Sequence, residues 1–204
     1  MRRTAREGQA FRLELVEAAR ALFAEDGFDA VSIRKITERA GCSPMTFYVY
    51  FRNKRELLRH IWEDMLTIAD THAADAAERA GDIPGRLAIL AGAWTEHWIA
   101  NPDSFRIVFL NQDRLASEDD IYFARSSRAR LFTIFVELIE RGVADGTFRK
   151  IDPVMAAQAL LTSSIGLAYS LIMVPEAGWR KELIPTTIET LVKGLESHAA
   201  ERAG

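Results

Sequence analysis

The sequence predicts an all-α chain: an N-terminal head of three short helices in helix-turn-helix order, then a larger helical body. Three observations carry this. Apolar residues recur at helical spacing almost throughout. Helix-start signals, Ser, Asn or Asp followed by Pro or by an acid three residues on, punctuate the chain. No segment alternates with the period of two that a half-buried sheet needs. At 204 residues the chain has room for one large domain or two small ones.

The elements follow in order. Phe11, Leu15, Ala19, Leu22 and Phe23 define the buried stripe of the first helix, and Gly27 ends it at a C-cap position. Ser32 caps a short second helix carrying Ile33, Ile36 and Ala40, closed by Gly41. Ser43 caps a third, with Pro44 at the first helical position, where a missing N–H costs nothing. Residues 46–51, TFYVYF, are rich in strand formers. A strand there would have no partner, so the third helix stands. Asn53 caps a fourth, and Glu56 three residues later completes a capping-box pattern leading into Leu57, Leu58, Ile61 and Met65.

Gly-Asp-Ile-Pro after Ala80 marks the boundary between head and body. The expected division is 1–52 for the head, a linking fourth helix at about 54–78, and 82–204 for the body. Pro84 opens a helix to about Ala100, and Asn101-Pro102 opens a short one. Ser117 with Asp120 caps a long helix to about Gly142, Asp152-Pro153 starts the next, and a last helix covers roughly 184–200. No repeat and no low-complexity segment interrupts this order.

Residues 153–175 carry no charge, so a membrane span has to be weighed. Gln158 and Thr162-Ser163-Ser164 break the run short of the 18 or so apolar residues a span needs. The expectation is a core or subunit-interface helix and no membrane. Ala159, Ser163, Gly166 and Ser170 line one face with small residues that permit close helix contact.

Charge is unevenly placed. Residues 1–60 hold 12 Lys/Arg against 8 Asp/Glu, whereas the remainder holds 14 against 21. A basic head on an acidic body suggests that only the head faces a polyanion; chance variation in solvated faces is the alternative. The polar, charged N-terminus does not resemble a secretory signal. The single cysteine, Cys42, excludes an internal disulfide framework and suits a reducing cytoplasm. At its position a small buried hydrophobe is a better description than a redox sensor.

Set at 100° per residue, the third helix points Phe47 and Phe51 at the core. Met45, Thr46 and Val49 point away from it, with Tyr48 and Tyr50 on the flanks. A helix, a glycine turn, a short helix with an exposed face and a basic cluster at the next start make helix-turn-helix geometry. Gly41 allows the positive φ of the turn. Ser43-Pro44 leaves N–H groups able to face phosphates. Lys54 stands in the first turn of the fourth helix, where a cation is unfavourable for the dipole unless a phosphate lies near.

The stretch SIRKITERAGCSPMTFYVYFRNKREL resembles the DNA-binding signature of the TetR family of transcriptional regulators, roughly T-V-R-x-I-A-x-x-A-G-V-S-x-G-T-L-Y-x-H-F-x-S-K-x-x-L. Arg34, Ile36, Ala40, Gly41, Ser43, Thr46, Tyr48, Phe51, Lys54 and Leu57 fall in register, and the likeness covers about residues 11–65. The resemblance implies a cytoplasmic homodimer that binds a palindromic double-stranded DNA operator, with a small-molecule effector pocket in the body. It implies that the last two long helices form the dimer bundle, with Ala159, Ser163, Gly166, Ser170, Ile188, Leu191 and Leu195 as the expected interface. It implies phosphate contacts from Tyr48 and Lys54, and contacts from Arg34, Lys35 and Thr46 to backbone or bases. Met45, Val49 and Tyr50 depart from the pattern. The first two cannot hydrogen-bond a base edge but can pack on thymine methyls. Arg2, Arg3 and Arg6 could form a minor-groove arm or a simple disordered terminus.

For the effector the candidate lining is Trp94, His97, Trp98, Phe105, Phe109, Tyr122, Phe132, Phe135, Tyr169 and Met173, which suits an apolar or aromatic molecule. Plain core is the alternative for each. His60, His72, His97 and His198 are scattered. Asp70 with His72 does not share a helical face, so no metal or other cofactor is expected. No nucleophile elbow, phosphate loop or carboxylate pair suggests an enzyme. Two rivals to a ligand-released repressor remain: a DNA-binding regulator under the control of a protein partner, and a helical enzyme.

Overall fold

The computed structural model describes residues 5–110 and 127–197, with side chains from 8 to 110 and from 130 to 197. The described residues form nine α-helices and one short 3-10 turn, with a single isolated β-bridge, Phe148 to Glu196. The expected arm (Arg2, Arg3, Arg6), Tyr122, His198 and the start of the long helix at Ser117 lie outside the described side chains.

The caps form as their residue types dictate. Helix α1 runs Ala5–Asp26, and α2 runs Ile33–Arg39 with the Ser32 hydroxyl accepting from the Lys35 amide at 3.2 Å. Helix α3 is Pro44–Tyr50, where Ser43 Oγ accepts from the Thr46 amide at 3.3 Å. Residues 46–50 of TFYVYF are helical, as expected, and Phe51 is the C-cap in extended backbone. Helix α4, Lys54–Ala77, starts with the Glu56 amide on Asn53 Oδ1 at 2.8 Å, while the Glu56 carboxylate takes the Arg52 amide rather than that of Asn53. Asp82 caps α5, Ile83–Ala100, through the Gly85 amide at 2.7 Å. Helix α6 is Pro102–Phe109, and α7 is described from Ser127 to Ala144. Asp152 caps α8, Pro153–Met173, and α9 spans Leu183–Lys193, ending earlier than the expected 200.

The chain divides into two compact units: residues 1–65 with 103–120, and residues 66–102 with 121–204. The division falls inside α4 rather than after Ala80, and α6 groups with the first unit.

In the first unit α2 packs on both α1 and α3, and the Tyr50 ring of α3 meets Phe11 of α1. Leu15, Ala19, Ile36, Phe47, Phe51, Leu57 and Ile61 are fully buried between them and α4. The Trp62 indole N–H donates to the Ile107 carbonyl at 2.8 Å, tying α6 into this core. In the second unit α5, α7, α8 and α9 pack around Leu90, Trp94, Trp98, Phe135, Ile139, Leu160 and Ala168. The segment after α7 returns to the end of α9, with the Arg149 amide on the Leu195 carbonyl at 2.8 Å.

Helix α8 is long and apolar enough to cross a membrane, with a mean hydropathy of 1.4, yet only a third of that window is buried. It packs on α5, α7 and α9 over one side. Val154, Met155 and Tyr169 remain exposed, and a Cβ at Gly166 would meet no atom within 4 Å.

Candidate nucleic-acid interface

The head is held by local geometry and two polar clamps. Gly41, at φ +66°, turns the chain between α2 and α3, and the Cys42 amide closes the turn on the Thr37 carbonyl at 2.8 Å. Cys42 itself is half-buried. Arg39 at the end of α2 grips the Glu25 carboxylate of α1 with two N–H donors, at 2.6 and 2.9 Å. Those hydrogen bonds hold the Glu25 carboxyl below its ordinary range. Such a bidentate pair specifies an angle between helices as well as an attraction.

Helix α3 divides its aromatics. Phe47 and Phe51 are buried and pack on each other with centroids 5.6 Å apart; Phe51 also meets His60 at 5.5 Å and lies under the Arg12 guanidinium at 5.3 Å. The outward face carries Met45, Tyr48 and Val49, which are 76%, 56% and 73% exposed. Thr46 sits at its edge, half-buried, with its hydroxyl 3.0 Å from that of Ser43. Tyr50 turns back to α1 instead. Its ring packs on Phe11 at 5.9 Å, and a Cβ at Gly8 would meet its hydroxyl at 3.8 Å. Sequence periodicity places the two tyrosines symmetrically on the flanks; packing against Phe11 separates them.

The basic residues are arranged differently from a simple row. Arg34 Nε donates to Glu38 at 2.8 Å, and Lys35 Nζ meets Asp26 at 3.3 Å. Both pairs are solvent-exposed, so each is held weakly and a phosphate could compete for the cation. Lys54 is the larger difference. Its ammonium donates to the carbonyls of Phe28 and Val31, at 2.6 and 2.7 Å, and stands over the Phe28 ring at 4.0 Å. The cost of a cation in the first turn of α4 is offset in part by two carbonyl oxygens of the α1–α2 connection. Arg52, one residue past the α3 C-cap, is exposed at the same joint; sequence reasoning did not single it out.

The body residues also separate. Trp94, Trp98 and Phe135 are core side chains of the second unit, with the two indoles edge-on at 5.6 Å. His97, Phe132 and Met173 are half-buried, and Tyr169 is exposed. Phe105 and Phe109 pack on each other in the first unit, centroids 4.8 Å apart. A cavity of about 420 Å³ also lies in the first unit, lined by Phe23, Phe28, Ile107, Leu110, Asp26 and Arg106 among others, and none of the expected pocket residues lines it. Of the expected interface residues, Ala159 and Gly166 are exposed and Ser163, Ser170 and Leu191 half-buried. Ile188 and Leu195 are core, because α9 turns them inward against α5 and the returning segment.

One buried polar group was not legible beforehand. Asp70, only 2% exposed, accepts the Trp94 indole N–H at Oδ1 (3.1 Å). Burial pushes its carboxyl up to about 7, against smaller opposing effects from Trp94, the Leu131 amide and Arg130. The His72 and His97 rings meet at 5.9 Å, and burial together with the His72 charge lowers the basicity of His97. Among the described residues no three metal-ligating side chains gather.

The architecture can be set against known proteins. Residues 15–61 match the description "Bacterial regulatory proteins, tetR family", and residues 80–169 match "Tetracyclin repressor-like, C-terminal domain". The HTH-type transcriptional repressor KstR2 of Mycolicibacterium smegmatis is 26% identical over 141 residues, 68% of this chain and 67% of that protein. A tetR-family bacterial regulatory protein from Rhodococcus RHA1 superposes with a TM-score of 0.75 at 21% identity, covering 91% of this chain and 97% of the other. The regulator FadR of Bacillus subtilis, solved in complex with stearoyl-CoA, does so with a TM-score of 0.75 at 15% identity, over 88% and 96%. The two matched stretches together span more than half of the chain, and with the helix-turn-helix head they place it: this protein belongs to the tetR family, and it is a DNA-binding transcriptional regulator rather than an enzyme.

Proposed function

We propose that the protein is a cytoplasmic dimeric repressor that binds a palindromic operator and is released by a small apolar effector. The observation that carries the operator half of this reading is the outward face of α3. It is exposed and braced from behind by Phe47 and Phe51, as an element must be to enter a major groove, and it carries no acidic side chain to repel the phosphates. Tyr48 and Arg52 stand at its rim for phosphate, with Arg34 and Lys35 able to exchange their carboxylate partners for the duplex. Lys54 holds the joint that sets the pose of α3.

Dimerisation is supported by the uncovered side of α8, where Ala159, Gly166, Val154, Met155 and Tyr169 face solvent on an otherwise apolar helix. Two heads in a closed twofold dimer would meet successive major grooves, which is why the operator is expected to be a palindrome. The effector would bind in the second unit among His97, Phe132, Tyr169 and Met173. An acyl thioester such as the one held by the Bacillus subtilis FadR complex is the first class to try. Such a ligand weakens DNA binding only by its differential affinity for the two states.

The test is selection of operators by the purified protein from a random duplex pool, followed by release assays with acyl thioesters and other apolar compounds. A palindromic consensus is the expected result. Enrichment of no sequence, or binding by a monomer to a single half-site at full affinity, would overturn the reading.

A further inference from the structure

The recognition helix of this protein has an unusual chemistry for reading DNA. Its seven residues, PMTFYVY, contain no charge and no amide, the side chains best suited to pairing with base edges. Of its hydroxyls, that of Thr46 is already 3.0 Å from Ser43 Oγ, and Tyr50 is packed on Phe11. What the helix presents outward is Met45 and Val49, two apolar side chains about three-quarters exposed, with Tyr48 beside them at the rim assigned above to phosphate. Neither is needed by the core, which Phe47 and Phe51 fill from the other side. Residues four apart lie on one face, one above the other, about 6 Å apart along the axis at 1.5 Å per residue.

We infer that Met45 and Val49 are specificity determinants that read thymine methyl groups in the major groove, at positions about two base steps apart in each operator half-site. The deduction rests on the operator-binding reading above and deepens it. Two base steps span about 6.8 Å at 3.4 Å each, close to the separation of the two side chains. The thymine C5-methyl is the one apolar feature the major groove displays. A hydrogen-bonding code is unavailable to these side chains, and burying them against any other base edge would strand polar groups. The prediction is therefore a half-site whose contacted positions are thymines and whose discrimination is carried by methyl burial.

The experiment uses the full chain and its selected operator. Each thymine is replaced in turn, in both half-sites, by uracil, which removes the methyl and keeps the pairing and every hydrogen-bonding group. Affinity is read by fluorescence anisotropy at one fixed salt concentration. Burial of one methyl is worth about 0.8 kcal/mol, or about a fourfold change in affinity per site and about fifteenfold for the symmetric pair. Two thymines per half-site should show this loss and the others none. Val49→Ala should abolish the uracil effect at one of them and Met45→Ala at the other, while Tyr48→Phe leaves both. The two exposed substitutions leave the core untouched, and circular dichroism checks that each variant folds. Uracil operators that bind as tightly as thymine operators would overturn the inference, as would a uracil effect that persists in both alanine variants. Failure to select any operator would overturn the DNA-binding reading as well, which separates the two failures.

Discussion

Asp70 offers the sharpest test of how this fold is balanced. Its carboxyl is buried in the second unit, with one oxygen taking the Trp94 indole N–H, and burial raises it from an ordinary 3.8 to about 7. A carboxyl whose native value is raised keeps its proton in the folded state over a range where the unfolded chain has lost it. Folding then takes up a proton, and stability falls as pH rises. The contribution is complete below about pH 4 and is lost as pH passes through about 7. Each unit of difference is worth 1.36 kcal/mol, so between pH 5 and pH 8 the wild type should lose about 2.5 kcal/mol through this group. Asp70→Asn keeps an acceptor for Trp94 and removes the titration. Urea unfolding of both proteins, followed by circular dichroism from pH 4 to pH 8, should give curves that converge toward pH 4 and separate at pH 8 in favour of the variant. Parallel pH profiles would mean that Asp70 is ionised in the native protein and that the burial argument is wrong.

Three further outcomes are expected. Lys54→Ala leaves the Phe28 and Val31 carbonyls without their ammonium and should cost about 1–3 kcal/mol of stability. It should weaken operator binding while leaving the slope of log affinity against log salt within about 0.3 of wild type; a fall of about 0.9 would reveal a phosphate contact. Phe47→Ala removes a fully buried ring behind the recognition helix and should cost about 3–5 kcal/mol, measured by denaturant unfolding. At Gly142 an added Cβ would run into the Phe148 ring, with Cε2 at 2.6 Å, so Gly142→Ala should cost about 1–3 kcal/mol in the same assay.

Much of this protein is legible along the chain because its caps are local. Ser32, Ser43, Asp82 and Asp152 each accept from a backbone amide two or three residues on, so residue type and spacing suffice to locate the start of a helix. The inward phenylalanines and outward Met45 and Val49 follow from a period of 3.6 alone. The domain boundary does not, since α6 joins the first unit through Trp62 and Ile107, partners 45 residues apart.

The limits of that reading have one cause. Periodicity says which face of a helix is apolar, but it does not say what covers that face. Ile188 and Leu195 share a stripe suited to a dimer interface, and the packing of α9 spends them inside the protomer. Tyr50 looks equivalent to Tyr48 until Phe11, 39 residues earlier, takes its ring. Nothing near Lys54 in the chain shows that its ammonium also meets carbonyls 23 and 26 residues earlier. The sequence by itself determined the helices, the turn and the helix-turn-helix order, because short-range hydrogen bonds and side-chain period encode them. Tertiary structure alone decided which polar groups are engaged and which apolar ones are exposed, because those depend on partners the chain brings together only by folding.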